Sequence, residues 1–217
     1  MTNPNLTLIA ALLDRSGSMA SCRTSTENGF NELITKQRTE PGEAVVTLSM
    51  FDDVYENVYA NVPIADVVPL TLLPRNSTAM LDATGRFVTE IGEHLAGLDE
   101  SDRPGTVVCL IMTDGLENAS KEWSWDAVNA LITQQREQFN WKFIFLGANI
   151  DAVKVGSRIG VPRASAMTYE VDEESVAYCL DSTSRAMSSV RAGVPMAFSD
   201  EDRLQSAGGG PKTNRRK

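Results

Sequence analysis

The chain has one histidine and three cysteines in 217 residues. With His94 alone, histidine-rich metal chemistry and a Ser-His-Asp hydrolase are poorly supplied. Cys22, Cys109 and Cys179 are odd in number and widely spaced, no pair has zinc-site spacing, and Cys109 lies inside an apolar run. That usage points to reduced thiols and a cytoplasmic protein rather than a disulfide frame. No apolar run approaches the ~20 residues needed to cross a membrane. "LTLIAALL" (6–13) has no basic residue before it and no small-residue cleavage site after it, so it does not read as a signal peptide. A P-loop and a Gly-rich dinucleotide fingerprint are both missing. Basic residues are outnumbered 20 to 29, for a formal net charge of −9. Such a surface repels phosphate backbones, which excludes nucleic acid as the main partner.

The 42% hydrophobic content is enough for a real core. Leu6–Leu13, 44–51, 106–112 and 141–147 are apolar runs without clean alternation, the pattern of strands buried on both faces of a parallel sheet. Residues 54–62 follow the second run too closely for a crossover helix, so they are expected to form an antiparallel edge strand. A short last strand is expected at 164–169. Helical patterns fill about 23–39, 79–97, 124–138, 150–159 and 173–191. Asp172 caps the last of these, and Gly193 with Pro195 ends it. The expected architecture is α/β: a doubly wound, Rossmann-like, mostly parallel sheet with one antiparallel edge strand and helices on both faces. It forms one domain over 1–198. Residues 199–217, ending "GGGPKTNRRK", read as a flexible, basic-ended tail.

Three segments place small oxygen-bearing side chains at or near strand ends: Asp14-Arg15-Ser16-Gly17-Ser18, "RNSTAMLDA" (75–83) and "IMTDGLEN" (111–118). In a doubly wound sheet these loops share the edge where ligands bind. Two carboxylates and three hydroxyls suit a hard cation that prefers oxygen donors. Neutral hydroxyls fill coordination sites without cancelling the ion's charge. The same residues also fit a simple turn with a helix N-cap. Gly17 is expected to let the first loop turn tightly.

"DRSGSM" has the form D-x-S-x-S. Together with Thr78 and Asp114 it resembles the metal-ion-dependent adhesion site of von Willebrand factor type A (vWA) domains, and the resemblance covers residues 5–192. "VTLSMFDD", "STAMLDA" and "IMTDGLENAS" are similar to further strand-end motifs of that family. "WKFIFLGANID" resembles a later strand of its small stand-alone bacterial and phage members. The resemblance implies that Asp14, Ser16, Ser18, Thr78 and Asp114 serve a metal, Mg²⁺ or else Mn²⁺ or Ca²⁺. The hydroxyls would act directly or through water, and the aspartates mostly through water or as acceptors that orient the hydroxyls. It also implies a partner protein presenting Asp or Glu, in bacteria often a MoxR-type AAA+ ATPase. The sequence departs from the family where two glycines often precede the threonine: here Asn76 and Ser77 stand there, preceded by Arg75, which is expected to approach the metal site.

Arg15 is expected at the rim, either solvated or forked onto a partner carboxylate. Asp52, Asp82 and Glu117 are expected to add negative charge around the site or to serve structure alone. Trp123 and Trp125 read as packing anchors. The expected function is a metal-dependent protein-binding adaptor without catalytic residues. The alternatives are a structural component of a phage or bacterial assembly with a stabilising metal, and a metal-dependent phosphoester hydrolase. The hydrolase reading meets two obstacles. An aspartate nucleophile would need a second acid two residues on, where Ser16 stands, and no lysine or histidine near these loops is expected to serve as general acid or base.

Overall fold

Six consecutive residues of the first strand, Leu8 to Leu13, are fully buried. The computed structural model, which describes residues 1–209, shows why they do not alternate. Strand β1 (Asn3–Asp14) lies mid-sheet, parallel to β2 (Glu43–Phe51) on one side and to β4 (Pro104–Thr113) on the other. Its odd residues Ile9, Ala11 and Leu13 enter one apolar core, and its even residues Leu8, Ala10 and Leu12 enter a second. Both faces are covered, so both sets must be apolar.

The sheet has six strands in the order β3-β2-β1-β4-β5-β6. β5 (Lys142–Ala148) and β6 (Ala166–Tyr169) are parallel to their neighbours. β3 (Tyr55–Pro63) is the antiparallel edge. The first core packs under α1 (Arg23–Gln37) and α5 (Glu173–Arg191). The second packs under α2 (Met80–Gly97), α3 (Trp125–Phe139) and α4 (Ala152–Arg158). This is the architecture expected from the strand and helix patterns. Element ends differ from those patterns by up to three residues, most at the start of β1, where the register with β4 shifts between Asn3 and Thr7. Residues 164–165, expected at the start of the last strand, belong instead to a 3-10 turn, Arg163–Ser165.

α5 ends as its sequence implies: the Asp172 carboxylate accepts from Ser175 N–H, and Gly193 takes φ +75° beyond the last turn. The chain beyond it departs from the flexible tail expected from Ser199. Residues Asp200–Ser206 form a further helix, α6. Ser199 and Asp202 make a reciprocal capping box, and the Arg203 guanidinium donates to the Ala164 and Ala166 carbonyls beside β6. Short helices of this kind depend on docking, and the alternation of few apolar residues did not reveal it. The basic end of the tail, 210–217, lies outside the described residues. All three cysteines are free and buried. No helix among the described residues is long and apolar enough to cross a membrane.

Strand order reverses between β1 and β4, since β1 continues outward to β2 and β4 continues outward to β5. At such a point the two flanking loops splay to opposite faces and leave a crevice beyond the carboxyl ends. Asp14 is the last residue of β1, and Asp114 follows the last residue of β4.

Candidate metal centre

Asp14 is fully buried. Its Oδ1 accepts from Ser16 N–H at 2.6 Å and its Oδ2 from the Thr113 hydroxyl at 2.6 Å. Burial pushes its carboxyl up to about 6, against the hydrogen bonds from Thr113 and Ser16, and the neighbouring Asp114 adds to the rise. Ser16 Oγ and Ser18 Oγ are 3.1 Å apart, and the Ser18 hydroxyl donates to Asp114 Oδ1 at 2.6 Å. Asp114 is also buried, and burial raises its carboxyl despite the Ser18 bond. Its Oδ2 is buried with no hydrogen-bond partner among the described residues.

Thr78 joins this group from the second loop, 75–83. A β-carbon built on Gly115 would lie 3.8 Å from Ser18 Oγ and 3.8 Å from Thr78 Oγ1. The two hydroxyls therefore face one small volume beside Asp114. Hydrogen bonds link Asp14, Ser16, Ser18 and Asp114 at the switch point, and Thr78 approaches the same Gly115 as Ser18.

The donor set fits a divalent cation. Two carboxylates that burial resists ionising, one of them with an unpaired oxygen, are an unfavourable pair unless a positive charge sits between them. Among the described residues no three His, Cys, Asp or Glu side chains cluster as a metal group. The donors here are two carboxylates and three hydroxyls, an all-oxygen set of the kind hard cations take.

Solved structures share this fold at low sequence identity. No protein-family model matches the chain, and no curated protein matches it in sequence. Proximal thread matrix protein 1 from mussel byssus, in a form with a zinc-occupied MIDAS motif, superposes with TM-score 0.60 at 13% identity, over 84% of this chain and 46% of that one. The vWF domain of the type V pilus tip protein Mfa5 from Porphyromonas gingivalis superposes with TM-score 0.56 at 10% identity, over 90% and 98%. Manganese-loaded TRAP protein of Plasmodium vivax gives 0.55 at 14% identity, over 81% and 72%. The chain has the vWA fold. It spans just under half the length of the byssus proteins it matches.

Within that vWA fold, several neighbours of the site differ from expectation. Arg15 is not a rim residue. It is 5% exposed, its Nε pairs with Asp52 Oδ2 at 3.0 Å, and its Nη1 pairs with Glu56 Oε2 at 2.5 Å. The sequence hid this because the acceptors come from the β2–β3 hairpin, roughly forty residues away. Arg75 reaches the same Asp52 oxygen at 2.7 Å. Asp52 thus bridges two arginines, which hold its carboxyl below the usual range although burial opposes them. Asp82 and Glu117 accept backbone N–H groups: Asp82 from residues 121, 122 and 123, Glu117 from 81, 119 and 120. They organise loops rather than charge the site.

Gly17 does not use its conformational freedom. It is not among the positive-φ residues, and it opens a 3-10 turn, Gly17–Ser21. Asn76 does the unusual turning, at φ +59°. Asparagine tolerates the left-handed region better than other side chains, so it can stand where the family often has glycine. Its carbonyl accepts from Gly17 N–H at 3.1 Å and Arg75 N–H donates to the Arg15 carbonyl at 2.8 Å, tying the Thr78 loop to the first loop.

Sequence reasoning missed three supports. Thr113 holds Asp14. Asn149, itself at φ +56°, donates to the Asp114 carbonyl at 3.2 Å. Tyr169, fully buried, donates its hydroxyl to the Thr113 carbonyl at 3.1 Å. The one available signal was Thr113 beside Asp114 in "MTDG". The other two depend on strand order. Trp123 and Trp125 act as packing anchors: Trp123 lies against Gly85 of α2, and Trp125 stacks under the Arg158 guanidinium at 3.9 Å.

Proposed function

We propose that the chain is a metal-dependent protein-binding module. Asp14, Ser16, Ser18, Thr78 and Asp114 would hold a divalent cation, Mg²⁺ or else Mn²⁺ or Ca²⁺, and an Asp or Glu of a partner protein would complete its coordination. When bound, the cation supplies a positive centre that attracts this carboxylate. The chain's own residues do the rest. Thr113 and Ser16 N–H orient the Asp14 carboxylate. Ser18 and Asp114 orient one another, and Arg15 locks the first loop to Asp52 and Glu56.

The observation that carries the reading is the buried, unpartnered Asp114 Oδ2 beside a second buried carboxylate, at the sheet's switch point. The hydrogen-bond network of the five residues consists of carboxylates, hydroxyls, amides and backbone groups, which favours binding over hydrolysis. Metal-loaded vWA neighbours support the same reading. The free, buried cysteines support a cytoplasmic setting. We place the chain with the stand-alone bacterial and phage vWA proteins, for which a MoxR-type AAA+ ATPase is the partner to test first.

The test is a pull-down from the native host with the wild-type chain and Asp114→Ala, each with Mg²⁺ and with EDTA. A partner held by the wild type in Mg²⁺, released by EDTA and absent from the folded variant, is the expected result. A partner retained equally in all four arms would refute the proposal and leave the metal a stabilising role only.

A further inference from the structure

The start of α2 lacks a cap of its own. Its N-cap residue is Ala79, whose side chain cannot accept a hydrogen bond. A helix N-terminus leaves its first N–H groups without intrahelical partners, and buried ones must find acceptors elsewhere. Here the loop after β4 provides them in trans. Leu81 N–H donates to Glu117 Oε2 at 2.9 Å, and Asp82 N–H donates to Ser120 Oγ at 3.0 Å. In return the Asp82 carboxylate accepts from the N–H groups of Lys121, Glu122 and Trp123.

The bond nearest the metal centre is reciprocal. Thr78 N–H donates to the Asn118 side-chain oxygen at 3.0 Å, and Asn118 N–H donates to the Thr78 carbonyl at 3.1 Å. Both bonds involve the backbone of Thr78, so they set the position of its Cα and leave Oγ1 for the site. Asn118 stands four residues after Asp114, on the same loop. One residue thereby ties the backbone of Thr78 to the loop that carries Asp114.

We propose that Asn118 is a positioning residue of the metal centre. Its two-bond clamp on Thr78, extended by Glu117 and Ser120 into the start of α2, fuses the second and third loops into one preorganised half of the site. The Asp14 loop is the other half, joined to it by Gly17–Asn76 and Arg75–Arg15. Preorganised donors bind without a further ordering cost. The proposal rests on the metal-site reading of the five residues, but the clamp itself is measurable without metal.

The experiment compares the full chain with Asn118→Ala and Asn118→Asp, the second of which keeps an oxygen acceptor for Thr78 N–H. Two readouts are taken: amide hydrogen exchange over residues 76–84 in EDTA, and Mn²⁺ affinity by calorimetry. Losing one such bond should weaken Mn²⁺ binding about tenfold in Asn118→Ala. It should also speed exchange at 76–84 while leaving the remainder of α2 protected. Asn118→Asp should restore both to near the wild type. Unchanged exchange at 76–84 in Asn118→Ala, or faster exchange with unchanged Mn²⁺ affinity, would overturn the proposal. If the wild type binds no Mn²⁺, the metal-site reading fails, and with it the role of Asn118 toward a metal. The exchange data then still show whether the clamp exists.

Discussion

Asparagine in place of Asp14 should make the metal-free protein more stable, not less. Asp14 is fully buried, and its carboxyl is pushed from 3.8 up to about 6. A carboxyl with a raised folded pKa binds its proton more tightly when folded. Stability therefore falls as pH rises from about 4 to 6, and the full loss persists above. At about 1.4 kcal/mol per pH unit, a rise of that size corresponds to roughly 3 kcal/mol at neutral pH. The side-chain amide introduced by Asp14→Asn can still accept from Ser16 N–H, and it can donate to Thr113 Oγ1. Allowing about 1 kcal/mol for the weaker neutral hydrogen bonds leaves a net gain of about 1–2 kcal/mol. In a domain of this size that is a rise in Tm of about 2–8 °C. Calorimetry of both proteins in EDTA at pH 7.5 and pH 4.5 should show the gap at the higher pH and little at the lower. Mg²⁺ at about a hundred times its Kd should then stabilise the wild type by about 2.7 kcal/mol and Asp14→Asn by nothing measurable, reversing their order. The reasoning is refuted if Asp14→Asn melts below the wild type by the same margin at both pH values, or if Mg²⁺ stabilises the two equally.

Two further substitutions probe the frame around the site. Gly85→Ala would place a β-carbon 2.1 Å from the Trp123 ring. Despite the better helix propensity of alanine, it should destabilise by about 1–3 kcal/mol and shift tryptophan emission, as read by urea melts followed by fluorescence. Asp202 is held down at about 2: burial opposes its charge, but bonds from Ser199, Ser182 and Arg185 prevail. Its contribution is present above about pH 4 and lost as pH falls toward 2. Asp202→Asn should lower stability at pH 6 by on the order of 1 kcal/mol, speed hydrogen exchange at 200–206, and flatten the acid limb of the stability curve.

How much of this was legible along the chain follows from what each feature depends on. Two-sided burial demands uninterrupted apolar residues, so Leu8–Leu13 announced a central strand. The "DD" following β2 left room only for a hairpin, so β3 announced itself as an antiparallel edge. Asp14, Ser16 and Ser18 lie within five residues, and the T-D-G run marks Asp114, so the oxygen-rich loops were visible as local chemistry. Arg15 was not: whether an arginine is solvated or buried depends on whether an acceptor meets it, and Asp52 and Glu56 arrive from another strand. α6 was missed for a related reason, since a seven-residue helix has no stability of its own and exists through Arg203 and Asp202 docked on β6 and α5.

Local order in the chain thus set which residues were available: the strand cores, the helix faces, the hydroxyls and acids at the loop starts. Periodicity and side-chain chemistry are properties of neighbours in sequence, and they need no fold to be read. The convergence of Thr78 with Ser18, the orphaned Asp114 oxygen, and the cap that α2 borrows from Asn118, Glu117 and Ser120 were decided only by folding. Each depends on placing β1 beside β4 and reversing the strand order there, a long-range choice made by burying both faces of one sheet at once.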